Sequence, residues 1–207
     1  MKKLGFLILL TAMAAMLGGA AQAQYVDNSV FFTTYYSGNG LTGAPDATLR
    51  VINDGGSTAG NLYADIYVFD DSEELTQCCS CLVTPDGLLS ESVKLNLTAN
   101  PLRGIVNNRG VIKVVSSTTP FVAPTFATES PSAGLRVWMT HIQGTKVTLS
   151  PGNPVVPVVS GPFFITETLA ADSNLGPGEQ GLIENLCKFD YLLSGKPCTC
   201  QPEDYDF

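Results

Sequence analysis

The chain's most chemically capable side chains are six cysteines, in two groups of three: Cys78, Cys79 and Cys81, then Cys187, Cys198 and Cys200. Thiols grouped like this can form disulfides, ligate a soft metal or run thiol–disulfide exchange. Cys78 and Cys79 are adjacent and make a poor pair, because a trans peptide holds their Cα atoms about 3.8 Å apart, below the usual disulfide separation. Six cysteines allow 15 pairings, and requiring every bond to cross between the groups leaves 3 × 2 × 1 = 6. Local pairing of Cys78 with Cys81 is open, but it leaves Cys79 needing a distant partner. At least one bond between the groups is therefore expected. A metal site built on Cys78-x2-Cys81 and Cys198-x-Cys200 is the rival. Its second spacing is tighter than the common zinc knuckle, and an oxidising compartment competes for the thiols. No βαβ pattern surrounds the Cys-x-x-Cys as a thioredoxin-like site would require. Disulfides, with no metal and no cofactor, are the expectation.

His141 is the only histidine. A hydrolase triad also needs a nucleophile on a shaped turn and an orienting acid. No Gly-x-Ser-x-Gly elbow is present, and a three-histidine metal site is impossible. A histidine at a strand end is the plainer reading, and no catalytic residue is expected. A carboxylate pair can hydrolyse sugars without histidine, and sequence does not exclude one. Asp70-Asp71-Ser72-Glu73-Glu74 offers clustered oxygens for calcium but does not match an EF-hand, so a solvated turn is expected. Asn96-Leu97-Thr98 is a formal glycosylation sequon of little weight within an expected strand. Tyr63, Tyr67 and Trp138 alternate away from the apolar sides of their strands. They are candidates for an aromatic face that stacks on sugar rings.

The first 23 residues have the three parts of an export signal in order. Lys2 and Lys3 form the positive region, Leu4 to Leu17 the apolar region, and Ala21-Gln22-Ala23 an A-x-A site before Gln24. The apolar run is shorter than the roughly 20 residues of a membrane-spanning helix. A lipoprotein would need cysteine just after cleavage, and a prepilin usually has Glu where this chain has Leu10. Cleavage leaves 207 − 23 = 184 residues, a single domain at 24–207. Two of the 11 Lys and Arg leave with residues 1–23, so the remaining charge is 9 − 19 = −10. Such acidity disfavours nucleic acid and anionic lipid as partners. The expected location is secreted or periplasmic, in association with the cell envelope.

Short runs of period-two alternation fill the middle of the chain. Leu62, Ala64, Ile66 and Val68 fall on one face against Tyr63, Asp65, Tyr67 and Phe69. Ala47 to Val51, Val93 to Leu97 and Leu135 to Met139 follow the same pattern. Val30 to Tyr36, Val111 to Ser116, Lys146 to Leu149 and Phe163 to Leu169 are further strands. Turn chemistry separates them at Asn53-Asp54-Gly55-Gly56, Thr84-Pro85-Asp86-Gly87, Asn107-Asn108-Arg109-Gly110 and Pro151-Gly152-Asn153-Pro154. Seven to eight such strands predict an all-β, immunoglobulin-like sandwich. One helix is predicted at about 178–194, started by Pro177-Gly178-Glu179 and stopped by Gly195. Leu182, Ile183, Leu186, Phe189 and Leu193 recur at helical spacing as its packing side, with Cys187 beside Ile183. A short acidic tail follows. Its Tyr205-Asp206-Phe207 ending resembles the terminus of outer-membrane barrels, but the chain lacks repeated long barrel strands.

Tyr67-Val68-Phe69-Asp70, Cys78-Cys79-Ser80-Cys81, Thr84-Pro85-Asp86-Gly87-Leu88 and the Cys-bearing terminal helix together resemble a group of exported bacterial proteins of unknown function. The resemblance covers most of the chain after residue 23 and implies no activity. Val51-Ile52-Asn53-Asp54-Gly55 is also similar to adhesion-type immunoglobulin modules. The expected role is non-catalytic, a structural or adhesive component of the cell exterior whose partners are cell-surface components. A module binding extracellular polysaccharide through the aromatic face is the second reading, and an enzyme the third.

Overall fold

Period-two patterning places apolar side chains on one face of a strand, and the described residues form nine strands. A computed structural model describes residues 28–101, 104, 107–121, 126–150, 156–194 and 197–201, with only the backbone of 147–150, 156–160 and 194. The expected export signal, the Pro151–Pro154 turn, the helix stop at Gly195 and the tail beyond Gln201 lie outside these residues. The strands are β1 (Phe31–Ser37), β2 (Thr48–Asn53), β3 (Leu62–Asp70), β4 (Leu75–Val83), β5 (Leu88–Ser92), β6 (Arg109–Ser117), β7 (Leu135–Ser150), β8 (Val156–Leu169) and β9 (Ala171–Ser173). Helix α1 (Pro177–Ser194) follows.

Two antiparallel sheets face each other, one in the order β4-β3-β6-β1-β9 and one in the order β5-β2-β7-β8. The all-β sandwich with a C-terminal helix is therefore present. β2 neighbours β5 in one sheet and β3 neighbours β6 in the other. The links β2→β3 and β5→β6 both cross between sheets, the interlock of an immunoglobulin-like Greek key. The outer strands depart from that pattern. β7 leaves β6 to pair with β2, and β1 takes the open flank of β6.

The core between the sheets is the predicted one. Leu62, Ala64, Ile66 and Val68 are fully buried, as are Leu49 and Val51 of β2 and Ile112 and Val114 of β6. Each such Leu, Ile or Val side chain contributes roughly 1.5–3 kcal/mol by leaving water. A second apolar cluster lies on the outer face of the five-stranded sheet. It joins Phe31, Tyr67, Phe69 and Val115 to Phe121 and to Ile183 and Cys187 of α1. That sheet is therefore buried on both faces, which period-two alternation does not anticipate.

Three expectations need correction. Val93–Leu97 is a single wide helical turn and no strand. The Ser92 hydroxyl accepts from the Leu95 N–H at 2.8 Å, and the Asn96 side chain accepts from the Ser92 N–H at 3.0 Å. These local bonds compete with a strand ladder. The strands expected at 135–139 and 146–149 are one strand, β7, and Phe163–Leu169 is the end of the similarly long β8. The helix packs with only part of its predicted apolar side, Ile183 and Leu186. Ile183 and Cys187 are buried, but Leu182, Phe189 and Leu193 are more than half exposed, and Glu184 and Asp190 are buried in their place. A disulfide at Cys187 sets the rotation of the helix about its axis.

Candidate functional site

The first cysteine group lies within β4, the edge strand beside β3. Side chains alternate across a strand, so Cys79 and Cys81 point into the main core while Cys78 points to the outer cluster. Cys78 pairs with Cys187, Cys79 with Cys198 and Cys81 with Cys200. Their Cα separations of 5.8, 5.2 and 5.5 Å lie within the usual disulfide range. Two Cys-x-Cys pairs with the same two-residue period meet side by side, which explains why 198 and 200 match 79 and 81. The Cys198 N–H donates to the Cys78 carbonyl at 3.2 Å and the Thr199 N–H to the Asn96 carbonyl at 3.3 Å. The Gln201 N–H donates to buried Glu91 at 2.7 Å. Residues 197–201 thus close the gap between β4 and the second sheet. Burial pushes the Glu91 carboxyl up to about 7.

The sulfurs of Cys79, Cys81 and Cys200 lie within 4.8 Å of one another. All three are consumed in disulfides, so no thiolate is left to ligate a metal.

Beneath α1 lies a group that sequence reasoning did not single out. Asp65 of β3 and Glu129 are buried and close enough to shift each other's carboxyl pKa. Asp65 also accepts from the Ser80 hydroxyl and from the Phe121 N–H at 3.3 Å, and Glu129 accepts from the Tyr67 hydroxyl. Glu184 of α1 accepts from the Glu129 N–H and from the Gln180 side chain, both at 3.1 Å. Burial raises Asp65 to about 7 and Glu129 to about 8, and their mutual proximity adds to the rise in Glu129. The one available signal was Asp65 itself, a carboxylate among aromatics on a strand face assigned to solvent.

The aromatic candidates do not share a face. Tyr67 is 1% exposed, covered by the helix layer and held by Glu129. This corrects its assignment to an outward surface. Tyr63 is half-buried on β3, opposite Leu82 and Ser117. Trp138 is half-buried on the other sheet, opposite Arg50 and Leu169.

His141 is buried and stacked on Tyr35 at 4.0 Å, with Nε2 2.7 Å from the Thr168 hydroxyl. Burial lowers its pKa, so it stays neutral there. No nucleophile–base–acid arrangement surrounds it among the described residues. In the acidic loop, Asp70 accepts from the N–H groups of Ser72 and Glu74 at 2.8 and 3.0 Å, and this carboxylate shapes the turn. Comparison with protein-family models, curated proteins and solved structures finds no match.

Proposed function

We propose that this chain is an exported, non-catalytic structural or adhesive module of the cell exterior, from the group of exported bacterial proteins that its cysteine framework resembles. The observation that carries the reading is the unequal treatment of its sheet edges. An open strand edge presents unpaired N–H and C=O groups that template pairing with another chain, and most proteins blunt it. Here β4 is covered by the disulfide-bound 197–201 segment, β9 has three residues, and β5 ends in the 93–97 turn. β8 is left as a long edge, and along it Phe164, Ile165 and Leu169 are each at least 60% exposed. Strand addition at such an edge is a general mode of protein assembly.

Three disulfides support an oxidising compartment, secreted or periplasmic. No helix among the described residues is long and apolar enough to cross a membrane. The polysaccharide reading loses its platform because Tyr63, Tyr67 and Trp138 occupy two sheets and one is buried.

The test follows the chain through supernatant and envelope fractions, with crosslinking, in wild type and in Phe164→Lys and Ile165→Lys variants. Assembly that both variants abolish at unchanged melting temperature is the expected result. A free monomer in every fraction, or turnover of a substrate, would sink the proposal.

A further inference from the structure

Asp65 and Glu129 lie near each other beneath α1 and are buried, 1% and 4% exposed. One oxygen of each already accepts from a neighbour, Asp65 Oδ1 from Ser80 and Phe121 and Glu129 Oε1 from Tyr67. The other two, Asp65 Oδ2 and Glu129 Oε2, have no donor. Ionised carboxylates only accept, so two such groups can hydrogen-bond each other only through a proton. Every element packed around them adds acid or neutral groups. β3 supplies Tyr67, β4 supplies Ser80, and α1 supplies Glu184 with Gln180. The cations near the helix are engaged elsewhere. Lys113 pairs with Glu179 at 2.5 Å, and Lys188 lies over the Phe121 ring at 5.7 Å. Among the described residues no ion pair reaches Asp65 or Glu129. A metal ion fits less well, because these acids do not bring three ligand atoms within 4.8 Å of one another.

We propose that one proton shared by Asp65 and Glu129 latches residues 126–131 and the N-terminal half of α1 onto the five-stranded sheet. When it leaves, that half swings away on the Cys78–Cys187 bond. In the opening step the O–H bond of Glu129 breaks, its electron pair stays on the carboxylate, and water or a buffer base takes the proton. Two buried like charges then face a third at Glu184, and separation lets all three hydrate. Besides the Lys113–Glu179 pair and buried Ile183, the helix is held at two points of different chemistry. Cys187 is covalent and insensitive to pH, while the Glu129–Glu184 contact depends on the proton.

The direction follows from linkage. The closed form keeps the proton to higher pH than the open form, in which these acids titrate near their ordinary values of about 4. Closure is therefore favoured fully below about pH 4, is lost progressively as pH rises towards 7–8, and is flat above. Over the sloping range the opening equilibrium should rise about tenfold per pH unit for one proton released.

Hydrogen exchange on the disulfide-intact full chain, corrected for intrinsic rates, tests this between pH 5 and 9. Amides of 126–130 and of the first half of α1 should lose protection with that slope, while β2 and β7 keep theirs. Glu129→Gln retains a donor to Asp65 without a second charge, and it should remove the slope. Carboxyl-carbon NMR titration of the wild type should place a Glu129 transition well above the normal glutamate range, which keeps the proposal testable if the variant misfolds. Flat protection, an unchanged slope in Glu129→Gln, or an ordinary Glu129 titration would overturn it. So would calcium chloride restoring protection at pH 8.5, because the natural occupant would then be a cation.

Discussion

His141 and the buried acids behave oppositely, although both were set by burial. The imidazole stacks on Tyr35 and bonds Thr168, so its role is packing. His141→Ala should cost about 1–3 kcal/mol through the lost hydrogen bond and the space left behind. Urea unfolding measures this, and any biological activity should fall only as far as folding does. Loss of activity at unchanged stability would mean the residue is catalytic. Among the buried acids, burial raises Asp65, Glu129, Glu91 and Asp190, and Asp190 has neither oxygen hydrogen-bonded. An isolated carboxylate in such a place is costly, so it holds its proton. Burial accordingly pushes Asp190 up to about 7.

At the scale of elements, β4 and the C-terminal segment form one unit through three disulfides whose contributions are unequal. The first cross-link between the groups closes a loop with a sequence separation of 119, for which chain entropy gives about 4–5 kcal/mol. With Cys79–Cys198 in place, Cys78–Cys187 closes only the ring spanned by 198 − 187 = 11 residues, about 2–3 kcal/mol. Cys81–Cys200 then closes the smallest ring, with two residues on each side, and adds about 1–2 kcal/mol. Paired Cys→Ala replacements should therefore rank in stability, with loss of 78/187 worse than loss of 81/200. The reverse order in denaturant unfolding would point to native packing, and against loop entropy, as the main contribution.

For the whole molecule the titrating groups set an unusual pH profile. Asp65, Glu91 and Asp190 are raised to about 7 and Glu129 to about 8. A raised carboxyl stabilises fully below its unfolded value, and that contribution is lost as pH climbs through the folded one. His141 is lowered, so its contribution is present above about 6.5 and is lost on acidification. Four groups oppose one, so the melting temperature should be higher at pH 5 than at pH 8.5. A net difference of about 2 kcal/mol corresponds to roughly 4–8 °C for a chain of this size. A midpoint that rises with pH across this window would show that these acids are ionised in the fold.

The sequence by itself determined the class of fold, the inward face of β3, the helix and the need for cross-links between the two cysteine groups. These follow from local periodicity, turn residues and the adjacency of Cys78 and Cys79, all properties of neighbours along the chain. Tertiary structure decided what covers each face. Tyr67 and Asp65 alternate like solvent-facing residues, yet α1 together with Phe121 and Glu129 buries them, and alternation cannot register a layer added from more than fifty residues away. Leu182, Phe189 and Leu193 of the helix's apolar stripe face outward for the same reason. Cys187 must reach Cys78, and that covalent constraint outweighs the burial of Leu182, Phe189 and Leu193. The shared proton of Asp65 and Glu129 lay furthest from view, since two carboxyls 64 residues apart meet only when the third layer closes.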